Sequence, residues 1–413
     1  MMLFIYNILV SLAGLLLKVI ALFHKKTGLF VNGRKMVFTA LKQQIAPGDR
    51  VIWFHTASLG EFEQGLPVIE KVKAGFPEHK ILVTFFSPSG YEVKKNSKTA
   101  DIITYLPLDT KSKVKKFLDI VQPELAVFVK YEFWPNYLHA LKKRGINTIL
   151  ISAIFRKNQL FFKPYGGFMR RSLRTFTRFF VQDEQSKTLL NNAGIEQVTV
   201  SGDTRLDRVS EILLRDNSLD FMEAFRDNRP CFVAGSTWPE DEELLTHLIN
   251  QNNTDTKFVL APHHIKPSHN EELKRSIRKK VALYSEREGK NLSEYDVLIA
   301  DTIGILTRIY SYADMAYVGG GMGSTGLHNI LEPAVFGIPV IIGKHYSRFK
   351  EANELVALGG TLSVSGKEQL YDAFLKLTKN EPFRKETGQI NAGYIKKNKG
   401  AVIQILEFIR TLL

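Results

Sequence analysis

Apolar positions along this chain fall into distinct regimes. Residues Leu3–Phe23 are apolar almost throughout, interrupted by Asn7, Lys18 and a few small residues. From about residue 50 onward, short β-branched and aromatic runs alternate with longer amphipathic stretches. The runs Val51–His55, Ile81–Phe85, Ile102–Tyr105, Leu125–Val129, Thr148–Ser152 and Arg178–Gln182 predict strands, with helices over Phe62–Ala74, Lys111–Val121 and Asn136–Arg144 between them. A second series begins at Cys231–Gly235 and continues through Phe258–Ala261, Val297–Ala300, Met315–Val318 and Pro339–Ile342. Apolar strands alternating with helices mean βα units and mostly parallel sheets, here twice over. The polar stretch 209–230 separates the two series, so the boundary belongs near 205–215. The expected fold is α/β, with two doubly wound, Rossmann-like domains facing a cleft. An anchor over 1–30 would precede a first domain over 31–208 and a second over 209–413, whose last helix is a candidate to pack back on the first.

As a helix, residues 3–23 would reach about 32 Å, close to a bilayer's hydrocarbon thickness. His24, Lys25, Lys26, Arg34 and Lys35 follow, which puts the body on the cytoplasmic side. The stretch is long, no basic residue precedes it and no small-residue cleavage site follows, all of which argue against a removed signal peptide. Lys18 and Asn7 also permit a helix lying in the interface. The single cysteine, Cys231, excludes an internal disulfide and fits a reducing compartment.

Charge changes the picture at one place. Of the net +14, the segment 155–180 supplies 7, through Arg156, Lys157, Lys163, Arg170, Arg171, Arg174 and Arg178, with no acid. Phe155, Phe161, Phe162, Tyr165, Phe168, Phe176, Phe179 and Phe180 are interleaved with them. Arg170, Arg174 and Arg178 would form one stripe on a helix long enough to carry all three. Beside a membrane anchor, this mixture reads as contact with anionic lipid head groups rather than nucleic acid.

Candidate chemistry gathers just after predicted strands, where doubly wound sheets bind ligands. Ser58-x-Gly60-Glu61 follows the first strand and Glu132-x-Trp134-Pro135-Asn136 the fourth. In the second series Gly235-Ser236-Thr237, then His263 and His264, follow strands. A glycine-rich loop, 319–333, carries Gly320, Gly321, Gly323, His328, Asn329 and Glu332 and leads into an expected helix from Ile330. Glycine lets backbone approach a ligand, and a helix start offers free N–H groups to phosphate. No Gly-Lys-Ser/Thr closes the loop, which excludes the P-loop pattern. Glu332 is placed to accept from a pair of ribose hydroxyls, or simply to complement a helix dipole.

In this order and at these intervals the motifs, with His328-Asn329-x-Leu331-Glu332-Pro333, resemble those of the 3-deoxy-D-manno-octulosonic acid (Kdo) transferases of lipopolysaccharide synthesis, nearly end to end. The resemblance implies a GT-B fold, CMP-Kdo as donor and a lipid A precursor as acceptor at the inner face of the cytoplasmic membrane. It implies Glu61 as the general base of an inverting displacement, with no metal or other cofactor and a monomeric enzyme. Donor contacts would come from Arg205, Gly235, Ser236, Thr237, His263, His264, Gly320, Gly321, Gly323, His328, Asn329 and Glu332. Acceptor contacts would come from Ser58, Glu132, Asn136, Arg156, Arg170 and Arg174, with anionic membrane lipid as a further partner. The chain departs from the family pattern at His263 (often arginine), Leu327 (commonly glycine) and Arg205 (usually lysine), so His263 is expected to be a cation titrating near neutral pH. The alternatives are another GT-B enzyme handling UDP-sugars, a transferase or an epimerase, and a membrane-tethered module binding anionic ligands.

Overall fold

A computed structural model describes residues Met2–Leu413. It contains two compact units: one runs to Asp207 and takes in Lys399–Leu413, and the other is Arg208–Asn398. The first unit opens with three helices, α1 (Met2–Ile20), α2 (Lys25–Asn32) and α3 (Val37–Gln44). Its sheet comprises β1 (Arg50–Thr56), β2 (His79–Phe85), β3 (Ile102–Tyr105), β4 (Leu125–Val129), β5 (Asn147–Ala153), β6 (Arg178–Val181) and β7 (Val198–Val200). All are parallel, in the order β3-β2-β1-β4-β5-β6-β7. The winding direction reverses between β1 and β4, which is the topological switch point of a doubly wound sheet.

The strands read as unbroken apolar runs because helices cover both sheet faces. On one face Trp53, Phe117, Phe128 and Tyr137 pack together, and the indole Nε1 of Trp53 donates to Thr84 Oγ1 at 2.8 Å. On the other, Phe54, Val83 and Val127 meet α4 (Leu59–Gly75), which follows β1 and buries Phe62, Leu66 and Ile69. The C-terminal helix Ala401–Arg410 adds Val402, Ile405 and Ile409 to that second core. Its first turn is held by Asp207, whose carboxylate accepts from the N–H groups of Gly400 at 2.8 Å and Ala401 at 3.1 Å.

The second unit repeats the plan with β8 (Cys231–Thr237), β9 (Lys257–Pro262), β10 (Val281–Leu283), β11 (Val297–Ile299), β12 (Met315–Val318), β13 (Val340–Gly343) and β14 (Thr361–Val364). The order is β10-β11-β9-β8-β12-β13-β14, again all parallel, with the switch between β8 and β12. Three strands were not expected from the sequence: β7, β10 and β14. Each is an edge strand of three or four residues, too short for a periodic signal and too exposed for a continuous apolar run.

Three expectations need correction. The helix after Gly166 ends at Leu173 and Arg178 opens β6, so Arg170, Arg174 and Arg178 do not share a helical stripe. The aromatics of that segment are mainly core: Phe155, Phe161, Phe176, Phe179 and Phe180 are buried, because β6 is sandwiched between helical layers. Only Tyr165 among them is largely exposed, at 74%. The helix beyond the glycine loop is one short turn, Leu331–Ala334, so its dipole is correspondingly small.

An Asp207→Ala variant is expected to lose about 1 kcal/mol, and at most roughly 2, from the first unit by uncapping the last helix. A lower urea midpoint for that unit, with faster proteolysis within 399–413, is the measurement that checks it.

Candidate active site

The first unit's candidates lie at the carboxyl ends of β1 and β4, on either side of the switch point. Ser58 is the N-cap of α4 and Glu61 its third residue, a reciprocal capping box. The Ser58 N–H donates to Glu61 Oε2 at 2.7 Å and the Ser58 hydroxyl to the same oxygen at 2.9 Å. Among the described residues Oε1 has no hydrogen-bond partner. One carboxylate oxygen is therefore held in place and the other is open to an incoming proton donor. Tyr131, just past β4, lies near the same group. Burial raises its phenol pKa, and the charges of Arg156, Glu61 and Asp183 act on it too.

Glu132 does not present a free carboxylate. It is 8% exposed, and its Oε2 meets His55 Nε2 at 3.1 Å and the Trp134 indole N–H at 2.8 Å. The other nitrogen of His55 meets Thr84 Oγ1 at 2.9 Å. This buried cluster ties β1, β2 and the loop after β4 together behind Ser58. His55 was not singled out in the sequence, where it is only the last residue of an apolar run. Asn136 is likewise committed within the unit: its amide donates to Asp109 O at 2.6 Å and to Asn7 Oδ1 of α1 at 2.9 Å. Both residues shape the site's border, Glu132 with its Oε2 engaged and Asn136 with its amide nitrogen engaged. Arg170 uses one guanidinium nitrogen, Nη1, to bond the carbonyls of Phe161 at 2.9 Å and Lys163 at 2.7 Å. Arg174 caps the chain nearby at Ala193 O, 3.4 Å, and Arg156 remains exposed. Arg205 belongs to the first unit, where it chelates Asp203 Oδ2 at 2.6 and 2.9 Å.

The second unit's candidates also flank a switch point. After Gly235 the β8–β9 register slips, and Ser236 takes a φ of +53°, rare for a residue with a side chain. Gly235 must be glycine because a Cβ there would lie 2.0 Å from the Tyr310 hydroxyl. Thr237 Oγ1 donates to buried Glu242 at 2.9 Å. Trp238 comes next in the chain and gathers three histidines around its ring, although its only signal in the sequence is that it directly follows Gly235-Ser236-Thr237. His263 stacks on its indole at 4.7 Å and 19°, His264 meets the ring edge at 4.8 Å, and its Nε1–H donates to His328 Nε2 at 2.9 Å. Burial, and secondarily the charge of His263, lowers the His328 pKa to about 4. His263 is also lowered, by burial and then by His264. Both effects favour the neutral imidazole of His263 and so work against the expectation that it supplies a cation titrating near neutrality.

The glycine loop serves two purposes. Gly319 and Gly320 tie it down: the Gly320 N–H donates to Asp241 Oδ2 at 2.8 Å, and its φ of +86° suits glycine. Gly321 passes close to Gly343, where a Cβ would meet backbone at 3.0 Å. From Gly321 to Leu327 the N–H groups have no acceptor among the described residues, so this stretch is the one open to an anion. Leu327 itself points inward and is 5% exposed. A cavity of about 690 Å³ opens beside it, lined by Gly323, Ser324, Thr325, Lys344, His345 and Arg348 among others. The Glu240 carboxylate lies over Gly323, where a Cβ would be 2.8 Å from it, which leaves the Lys344–Arg348 side as the electropositive one. Neither cation was anticipated, since both follow β13 in a stretch with no motif. Asn329 Nδ2 donates to Glu332 Oε1 at 3.1 Å and Thr307 to its Oε2 at 2.9 Å. Burial lowers the pKa of Arg208, and the charge of Glu332 partly offsets this.

Two Rossmann-like units with polar residues at their switch points define the GT-B class of architecture. Over 88% of this chain, the fold is similar to UDP-GlcNAc 2-epimerase from Neisseria meningitidis, with a TM-score of 0.63, 17% identity and all of that chain covered. Residues 32–208 match the family described as 3-Deoxy-D-manno-octulosonic-acid transferase (kdotransferase). The chain is 29% identical to the 3-deoxy-D-manno-octulosonic acid transferase of Haemophilus influenzae, covering 89% of this chain and 88% of that one. It is 28% identical to that of Aquifex aeolicus, covering 90% and 97%. It is 27% identical to that of Chlamydia trachomatis, covering 93% and 91%. Over most of its length the chain is thus similar to Kdo transferases, glycosyltransferases of lipopolysaccharide biosynthesis.

His328 gives the site a pH signature. It stays neutral in the folded protein down to about pH 4, whereas an unfolded chain's histidine takes its proton near pH 6.5. The unfolded state therefore binds the extra proton between those values. The stabilisation is complete above about pH 6.5 and declines as pH falls toward 4. The urea midpoint of the second unit should fall across this window, and His328→Gln should flatten the fall. Trp238→Phe, which removes the indole donor that favours neutral imidazole, should raise the His328 titration midpoint in an NMR titration.

Proposed function

We propose that the protein transfers Kdo from CMP-Kdo to a phosphorylated lipid A precursor at the cytoplasmic face of the inner membrane, by a single inverting displacement. The observation that carries this reading is Glu61, with Oε2 pinned by two Ser58 donors and Oε1 open at the switch point of the first sheet. A base needs a fixed direction and one free lone pair, and this carboxylate has both. The acceptor hydroxyl gives its proton to Oε1 as its oxygen bonds to the anomeric carbon. The bond from that carbon to the phosphate oxygen breaks, and CMP leaves with the electron pair.

Charge builds on the departing phosphate, and fixed donors aimed there supply the stabilisation. The candidates are the free N–H groups from Gly321 to Leu327, with Lys344 and Arg348 beside the cavity. His263 and His328, neutral at pH 7, are suited to hydrogen-bonding and stacking. Asn329 and Glu332 would face the nucleotide's ribose. With donors of this kind the reaction needs no metal ion, so an excess of chelator should leave the rate unchanged.

The α1 helix is long and apolar enough to cross a membrane, with a mean hydropathy of 2.2. Its half-buried residues Tyr6, Asn7, Val10, Gly14 and Leu17 form one face along much of its length, and Tyr6 and Asn7 bond Asp109 and Asn136 at 2.8 and 2.9 Å. A helix held alongside the body in this way cannot cross the bilayer without drawing polar residues into hydrocarbon. We therefore read α1 as lying in the interface, with its Phe4, Leu9, Leu12 and Leu16, and Phe23 in the turn beyond it, facing lipid.

Glu61→Gln is expected to bind CMP-Kdo with unchanged affinity by calorimetry and to lose transfer by about 10²–10⁴-fold. Transfer at the wild-type rate would sink the base assignment. Tighter binding of UDP-GlcNAc than of CMP-Kdo would sink the donor.

A further inference from the structure

Along the flank of α1 runs a groove that the transfer chemistry does not use. It has a volume of about 780 Å³ and apolar walls that include Val10, Gly14 and Leu17 of α1, Phe30 and Val31 of α2, and Leu108 of the loop after β3. Lys18, Lys35 and Lys113 stand on it, and none of the three has an ion-pair partner among the described residues. Arg34 lines it too, but its guanidinium is bonded to the carbonyls of Phe86 at 2.6 Å, Phe30 at 2.8 Å and Leu106 at 2.9 Å. Burial lowers the pKa of the Lys113 ammonium, and the charges of Lys18 and Arg34 lower it further. Four cations thus share an apolar slot with no acid lining it.

An apolar slot with unpaired cations is complementary to an amphiphile bearing phosphate. The volume lies within the roughly 300–1,000 Å³ of small-molecule sites, room for one head group and one chain rather than a lipid with many chains. The exposed apolar face of α1 continues into the groove through Leu15 and Leu22, so a chain can enter from the bilayer side. We propose that this groove holds one anionic phospholipid of the bilayer, its phosphate on Lys18 and Lys113 with Lys35 beside them and one acyl chain between α1 and α2. Such a lipid would brace α1 against the loop that carries Asp109, which caps helix Pro135–Lys143 through the N–H groups of Asn136 and Tyr137, both at 3.0 Å. That loop leaves the same carboxyl end of the sheet as the one bearing Glu61, so membrane composition would bear on the order of the site's acceptor side. The proposal rests on α1 lying in a bilayer.

The test uses the full chain with phosphatidylcholine vesicles, with and without phosphatidylglycerol and a lipid A precursor, in two arms. Flotation reads membrane association; native mass spectrometry after gentle detergent extraction reads the lipid retained. The expected result is flotation of every variant, with one phosphatidylglycerol held by the wild type. Retention should be roughly 30-fold weaker in Lys18→Gln/Lys113→Gln, at about 1 kcal/mol per lysine converted to a ratio. Val10→Trp, which fills the slot and keeps the charges, should lose the lipid as well. Failure of the wild type to float overturns the reading of α1 and this proposal together. Flotation with equal retention in all variants, equal retention of phosphatidylcholine, or preferential retention of a lipid A precursor overturns the groove assignment alone.

Discussion

Parallel pairing of β1 with β4 and of β8 with β12 is the constraint on which the rest depends. In each sheet, successive crossovers run to opposite faces at that pair, so the loops leaving the two strands diverge. Backbone N–H groups and side chains at the gap are left for a ligand. Ser58 and Glu61 follow β1, Tyr131 and Glu132 follow β4, Ser236 and Thr237 end β8 with Trp238 just beyond, and the glycine loop follows β12. Each pair of loops is set by strands whose side chains are buried nearly throughout, which limits how far the groups they carry can drift.

The electrostatic design of the two halves differs. In the first unit, negative charge is organised by hydrogen bonds: Glu61 by its own helix cap, and Glu132 by His55 and Trp134. In the second, His263, read from the sequence as a cation, is stacked on Trp238, and burial favours the neutral form of both it and His328. Positive potential there comes from uncapped backbone between Gly321 and Leu327 and from Lys344 and Arg348. Backbone donors suit a leaving phosphate because their direction is fixed before the charge appears.

On the proposed reading, membrane contact falls to α1 and its flank, because much of the basic and aromatic segment 155–180 is committed to the fold. That segment's phenylalanines fill the core between β5, β6 and the surrounding helices, and Arg170 and Arg174 bond backbone carbonyls. Composition alone cannot distinguish an aromatic that faces lipid from one that faces a sheet, because both avoid water for the same reason.

Much of the fold was legible in the chain itself. Apolar runs at strand spacing, broken by amphipathic stretches, specify parallel strands because only strands covered on both faces are apolar at every position. Eleven of the strands follow from that pattern, with β7, β10 and β14 the exceptions. The capping box at Ser58 and Glu61 and the polar residues after strands were also readable, being local. What only the tertiary structure decided is which polar groups are already engaged. Asn136 meets Asn7 across 129 residues and His55 meets Glu132 across 77. Trp238 and His328 pair across 90, and Lys344 comes beside Ser324 only when β12 and β13 lie side by side. Such pairings depend on packing between segments distant in the chain, and local pattern carries no record of them.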